Sequence, residues 1–97
     1  MAANRDIAYE ILKARMDRAG MDIPKAQADY WMQRLEAAEQ NLADKGIYLE
    51  DTLQDNTLLA DYAAFNIQNR DKGTGEPEWL RLEIRERWMA QPRRDQS

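Results

Sequence analysis

The sequence predicts an all-α protein that folds as a compact bundle of four helices. Within four segments, apolar residues recur at intervals of three and four, as they do along one face of a helix. Glycine or proline separates each segment from the next, and neither residue suits a helix interior. The predicted helices cover about residues 5–19, 25–45, 56–70 and 77–90, with an acidic loop at 46–55.

The first two helices have clear ends. Asn4 is a suitable N-cap for the first helix, and Gly20 is predicted to stop it. Pro24 fits the first turn of the second helix, and Gly46 follows its last residue. The second helix has the cleanest apolar stripe in the chain, which predicts the core residues Ala28, Trp31, Leu35, Ala38 and Leu42.

The loop at 46–55 interrupts the helical period. Ile47, Tyr48 and Leu49 are too few to indicate a strand with certainty, so a short extended piece and a buried loop both remain open. Asp55 or Asn56 is predicted to cap the third helix.

The third and fourth helices are joined by a turn at 70–76 that contains Gly73 and Gly75. In the fourth helix, Leu80, Ile84 and Trp88 lie four residues apart and are predicted to face the core. Residues 1–90 are therefore expected to form one domain, and residues 91–97 a mobile tail.

The composition offers little for catalysis. The 97 residues include no cysteine and no histidine, so thiolate chemistry and the usual transition-metal ligands are absent. The carboxylate pairs Glu36 with Glu39 and Glu83 with Glu86 are three residues apart and are interpreted as solvated helix faces with local ion pairs. We therefore expect no enzymatic activity, no cofactor and no metal.

The net charge of −4 is concentrated in one part of the chain. Residues 21–57 carry three basic and eight acidic side chains, whereas residues 58–97 carry seven of each. Tight nonspecific binding of nucleic acid needs clustered lysine and arginine, which this distribution does not favour. No apolar run suits a signal peptide or a membrane span, so we expect a protein that is not secreted and has no membrane partner.

The fourth helix supplies the best candidate interface. Trp79 lies off the main apolar stripe and is predicted to be an outward anchor, because tryptophan is favoured at interaction hot spots. The alternative is that Trp79 folds back over Tyr62 or Phe65. The predicted partner interface consists of Trp79, Arg85, Arg87 and Met89.

Three motifs follow one another in the second half of the chain. Residues 55–65 read Asp-Asn-x-Leu-Leu-x-Asp-Tyr-Ala-Ala-Phe, residues 69–73 read Asn-Arg-Asp-Lys-Gly, and residues 77–87 read Pro-x-Trp-Leu-Arg-x-Glu-Ile-Arg-x-Arg. Before them comes a long helix with a Leu-Glu-Ala-Ala centre that ends at Gly46-Ile47. From about Ile11 to Trp88, the chain resembles the small head–tail connector (head-completion) proteins of tailed bacteriophages and prophages.

This resemblance implies a structural subunit of the virion. Such proteins are α-helical, assemble as a ring beneath the portal after genome packaging, and join the head to the tail. The implied partners are further copies of the chain, the portal, and tail or adaptor proteins, and the implied location is the virion or the host cytoplasm. Members of the family commonly carry an extra loop for ring contacts, and here only residues 47–54 leave room for one.

An acidic ring lumen would suit this role, because carboxylates repel the phosphates of passing DNA. The candidate residues for this lumen, or for an acidic loop, are Glu36, Glu39, Glu50 and Asp51. Contact with DNA would then be weak and passing at most.

The alternative function is a small helical regulator or adaptor linked to DNA through the fourth helix and the arginine-rich tail. Arg85, Arg87, Arg93 and Arg94 would be its basic contacts. The carboxylates of Glu78 and Glu83 near the start of that helix oppose contact with phosphate.

Overall fold

The computed structural model describes residues 3–69 and 75–91, which form four α-helices and no strand. The predicted all-α four-helix fold is confirmed. The helices are α1 (Arg5–Arg15), α2 (Lys25–Asp44), α3 (Leu53–Asn69) and α4 (Glu78–Ala90). The predicted turn at 70–76 lies outside the described residues, except for its last two.

The helix α3 is the centre of the core. Both α1 and α2 pack against it and against each other, whereas α4 contacts α3 alone among the described helices. Every residue of α3 from Leu58 to Ala64 is buried. Alanines at 60, 63 and 64 let the neighbouring helices approach closely, because the distance between helix axes depends on the side chains at the contact.

The helix α1 begins as predicted and ends earlier than predicted. The side chain of Asn4 accepts hydrogen bonds from the amides of Asp6 and Ile7, so it is the N-cap. The helix stops at Arg15, four residues before the predicted end. Asp17 has a positive φ of 61°, and the amide of Arg18 donates to the carbonyl of Lys13 at 2.7 Å. The left-handed conformation and this bond end a helix in the Schellman motif.

The helix α2 ends in the same motif, with the predicted glycine. Gly46 has a φ of 90°, and the amide of Ile47 donates to the carbonyl of Leu42 at 2.9 Å. Leu42 and Ile47 are both buried, which is the hydrophobic contact that accompanies this motif. Trp31, Leu35 and Leu42 of the predicted stripe are buried with Ala38, and Ala28 is partly exposed.

The segment 46–52 forms a loop and no strand, and its residues Tyr48, Glu50 and Asp51 are exposed. Ile47 and Leu49 are buried in the core. The prediction that Asp55 or Asn56 caps α3 is wrong, because the helix begins three residues earlier than predicted. The hydroxyl oxygen of Thr52 accepts a hydrogen bond from the amide of Asp55 at 3.1 Å and caps the helix instead.

Candidate functional site

The helix α4 contacts the rest of the protein along one face. Leu80 is fully buried and Ile84 nearly so. Trp79, Leu82 and Met89 lie on the opposite side, because each residue turns a helix by about 100°. These three residues are called here the α4 apolar face.

Large apolar side chains are exposed on α4 to an unusual degree. Trp79, Leu82 and Met89 are 54%, 48% and 66% exposed. With Trp88, they make up half of the eight large hydrophobic residues that are exposed within residues 3–69 and 75–91. Several large apolar side chains exposed on one helix indicate a site of interaction more strongly than a single exposed residue does.

The prediction that Trp88 lies in the core is wrong. Its side chain is 54% exposed, and its Nε1 lies 3.4 Å from where a Cβ on Gly46 would be. Residues spaced by four drift around a helix that has 3.6 residues per turn, so Trp88 lies about 80° from Leu80. It therefore falls at the edge of the buried stripe.

Arg87 lies in a buried ion pair, which corrects its assignment to the partner interface. Its Nε and Nη2 donate to the two carboxylate oxygens of Asp55 at 2.6 and 2.9 Å. Nη2 also donates to the carbonyl of Tyr48 at 3.0 Å. Only 11% of the Arg87 side chain and 4% of the Asp55 side chain are exposed. The hydrogen bond with Asp55 raises the pKa of the Arg87 guanidinium.

Gln91 strengthens the same attachment. Its side-chain nitrogen donates to the carbonyl of Gly46, and its side-chain oxygen accepts from the amide of Tyr48 at 3.1 Å. Gln91 is therefore anchored, and the predicted mobile tail cannot include it. Residues 92–97 of that tail lie outside the described part of the chain. Arg85, from the predicted interface, is exposed.

Two of the predicted acidic lumen residues lie beside the start of α1. Glu39 accepts hydrogen bonds from the amide of Ala3 and from Nε of Arg5, both at 3.2 Å. Glu36 lies 3.8 Å from Arg5 and remains largely exposed. Arg5 therefore offsets part of the negative charge at this position.

The other two acidic residues lie in the loop before α3. Asp51 accepts a hydrogen bond from the side chain of Asn56 at 3.1 Å, and Asn56 accepts one from the amide of Asn4 at 2.8 Å. Glu50 and Asp51 are both exposed. The buried amide of Asn56 thus brings this loop next to the start of α1, where Glu36 and Glu39 lie.

A cleft of about 710 Å³ separates the first turns of α4 from the last turns of α1 and α3. Trp79, Phe65 and Pro77 form its apolar lining, and Glu83 and Asp61 lie among its polar residues. The α4 apolar face therefore meets the cleft at Trp79. Sequence reasoning missed the cleft, because its walls come from three separate helices.

Asp61 and Arg15 form a second ion pair at this cleft. Nε of Arg15 donates to the carboxylate of Asp61 at 2.6 Å, and the Asp61 side chain is 8% exposed. This hydrogen bond raises the pKa of the Arg15 guanidinium. The position of Asp61 within the apolar stretch of α3 indicated that it needs a partner, since a buried charge is costly when unpaired.

Glu83 has no such partner among the described residues. Its Oε1 is buried and forms no hydrogen bond there. Burial, and next the negative charge of Asp61, raise the pKa of the Glu83 carboxyl above its ordinary value. The charge of Arg15 acts in the opposite direction and is the smaller influence. The interpretation of Glu83 as part of a solvated face is therefore wrong.

Tyr62 of α3 lies near Glu76, in the segment that precedes α4. It is buried, and burial together with the charge and hydrogen bond of Glu76 raises the pKa of its hydroxyl to about 12. Glu76, two residues before α4, therefore lies close to Tyr62 in the centre of α3.

Within residues 3–69 and 75–91, no three His, Cys, Asp or Glu side chains are grouped so that they could hold a metal ion. In the same ranges, no helix has the length and apolar character needed to cross a membrane.

No protein-family model, no curated protein and no solved structure matches the chain. The α4 apolar face, the adjoining cleft and the motifs of the sequence therefore carry the functional interpretation.

Proposed function

We propose that this protein is a structural subunit of a head–tail connector of a tailed bacteriophage or prophage. It assembles as a ring beneath the portal and joins the head to the tail. The observation that best supports this proposal is the α4 apolar face. Three large apolar side chains stay exposed on a helix that has only one neighbouring helix in the described structure. A ring subunit needs lateral surface of this kind, and burial against a neighbour removes the apolar area from water.

The motifs of the resemblance support the proposal. The Leu-Leu-x-Asp-Tyr-Ala-Ala stretch forms the buried centre of α3, and the Trp-Leu-Arg-x-Glu-Ile-Arg-x-Arg stretch forms most of α4. One motif thus builds the helical body, and the other contributes Trp79 to the α4 apolar face. The proposed partners are other copies of the chain, the portal, and tail or adaptor proteins, in the virion or the host cytoplasm.

The proposal is tested by the oligomeric state with and without a portal protein from the same phage genome. Native mass spectrometry and light scattering over a range of concentrations should show a discrete ring, formed either alone or on the portal. Leu82→Asp should abolish it, because the substitution places a charge at the centre of the apolar face.

The matched control for this test is Arg81→Asp, which changes an exposed neighbour on the same helix and should leave the assembly intact. Circular dichroism should show the same helix content in both variants. The proposal would be contradicted if the chain stayed monomeric at high concentration and also did not bind the portal protein.

A further inference from the structure

Few apolar contacts join α4 to the rest of the described structure. Among the described helices it packs against α3 alone, whereas α1, α2 and α3 all pack against one another. Of its 13 residues only Leu80 and Ile84 are buried, whereas α3 buries every residue from Leu58 to Ala64. Because burial of apolar surface is the main source of stability, these contacts hold α4 more weakly than they hold α3.

Polar groups supply much of the attachment at the last turn of α4. Arg87 pairs with Asp55 and donates to the carbonyl of Tyr48. Gln91 donates to the carbonyl of Gly46 and accepts from the amide of Tyr48. Arg87 and Gln91 are called here the α4 latch. Hydrogen bonds depend on distance and angle, so the bonds of the latch are lost together when this turn moves away.

The three other helices keep their own contacts when α4 is taken away. Their core includes Leu12 of α1, Leu35 of α2 and Leu59 of α3, all fully buried. The packing of α1 and α2 on α3 does not pass through α4, because α4 packs against neither of them. At the other end of α4, the hydrogen bond between Glu76 and Tyr62 is again a polar attachment.

We propose that α4 is a strap that opens as one unit while α1, α2 and α3 stay folded. Opening breaks the α4 latch and exposes Leu80 and Ile84, so that the open helix has apolar side chains on both sides. Elements that move on binding come from the least stable parts of a fold. A partner that encloses the open helix shifts the population towards it, because it buries more apolar area there. The opening is a property of the single chain and does not rest on the connector function.

Hydrogen exchange of the full chain tests the strap, at a dilution at which light scattering shows a monomer. Mass spectrometry of peptic fragments follows the exchange at several urea concentrations below the unfolding transition. The amides of residues 82–90 should exchange at least about tenfold faster than the most protected amides of α3. Urea should accelerate exchange steeply in α3 and only slightly in α4, because its effect scales with the surface that is exposed.

Two substitutions distinguish opening of the strap from global unfolding. Ala38→Gly, in the buried stripe of α2, should accelerate exchange in α3 about threefold or more, because glycine destabilises a helix interior. Exchange in α4 should stay unchanged, because the open state keeps the contacts of Ala38. Gln91→Ala should accelerate exchange in both helices about threefold or more, because its hydrogen bonds are absent from the open and the unfolded states alike.

The control is Arg85→Ala, which changes an exposed residue of α4 and should alter neither rate by more than about twofold. The inference would be overturned if α4 and α3 exchanged at one rate with one urea dependence. It would also be overturned if Ala38→Gly accelerated α4 as much as α3. A chain that meets these expectations but forms no ring, alone or on the portal, would contradict the connector function and leave the strap in place.

Discussion

At the level of single residues, the buried guanidinium of Arg87 holds the end of α4 to the start of α3. We expect Arg87→Ala to lower the free energy of unfolding by about 3–5 kcal/mol, because the carboxylate of Asp55 would remain buried without its partner. Urea denaturation followed by circular dichroism measures this loss. Arg85→Ala removes an exposed arginine two residues away and should change the stability by no more than about 0.5 kcal/mol. Similar small losses in both variants would show that the pair contributes little.

Two ion pairs, each with a buried aspartate, show how far the sequence could predict the partners of single residues. Asp61 lies in an apolar stretch, so its need for a positive partner was visible, but 14 lysines and arginines could supply it. Its partner Arg15 is 46 residues away, and Arg87 is 32 residues from Asp55. Pairing over such distances depends on how the helices pack, which periodicity does not specify. The sequence predicted that Trp79 is exposed. It placed Trp88 in the core, because the spacing of four residues does not show where the buried face of the helix ends.

At the level of elements, the ends of α1 and α2 use the same motif with different residues. Gly46 was predictable, because glycine adopts positive φ without steric cost. Asp17 occupies the equivalent position in α1 and gave no comparable signal, so the helix was predicted to continue to residue 19. The existence and order of all four helices followed from periodicity, whereas the ends of α1 and α3 depended on local hydrogen bonds.

This difference predicts opposite effects of two substitutions. Asp17→Gly should raise the free energy of unfolding by about 0.5–1 kcal/mol, because it relieves a left-handed conformation at a non-glycine residue. Gly46→Ala should lower it by about 1–2 kcal/mol, since it introduces that strain and brings a Cβ to 3.4 Å from Trp88. Thermal and urea unfolding of the two variants measure both changes. A loss of stability in Asp17→Gly would show that the aspartate side chain itself stabilises the turn.

At the level of the whole molecule, the uneven placement of apolar and charged groups suits assembly. The core lies between α1, α2 and α3, and α4 adds one buried face while leaving the other exposed. Among the described residues, the buried Oε1 of Glu83 forms no hydrogen bond, which costs the folded chain free energy. Residues kept in such a state are expected where function outweighs stability.

The distribution of charge also bears on the choice between the two functions considered, a connector subunit and a DNA-linked regulator. Arg15 and Arg87 are engaged in ion pairs, and Glu36, Glu39, Glu50 and Asp51 place negative charge near the start of α1. The full chain should therefore leave a DNA duplex unretarded in a gel-shift titration at physiological salt, because phosphate binding needs unpaired basic groups. Arg85→Ala should change nothing, and it is a better probe than Arg87→Ala, which would also destabilise the fold. Salt-sensitive retardation that Arg85→Ala weakens would instead favour the regulator, in which α4 would contact nucleic acid.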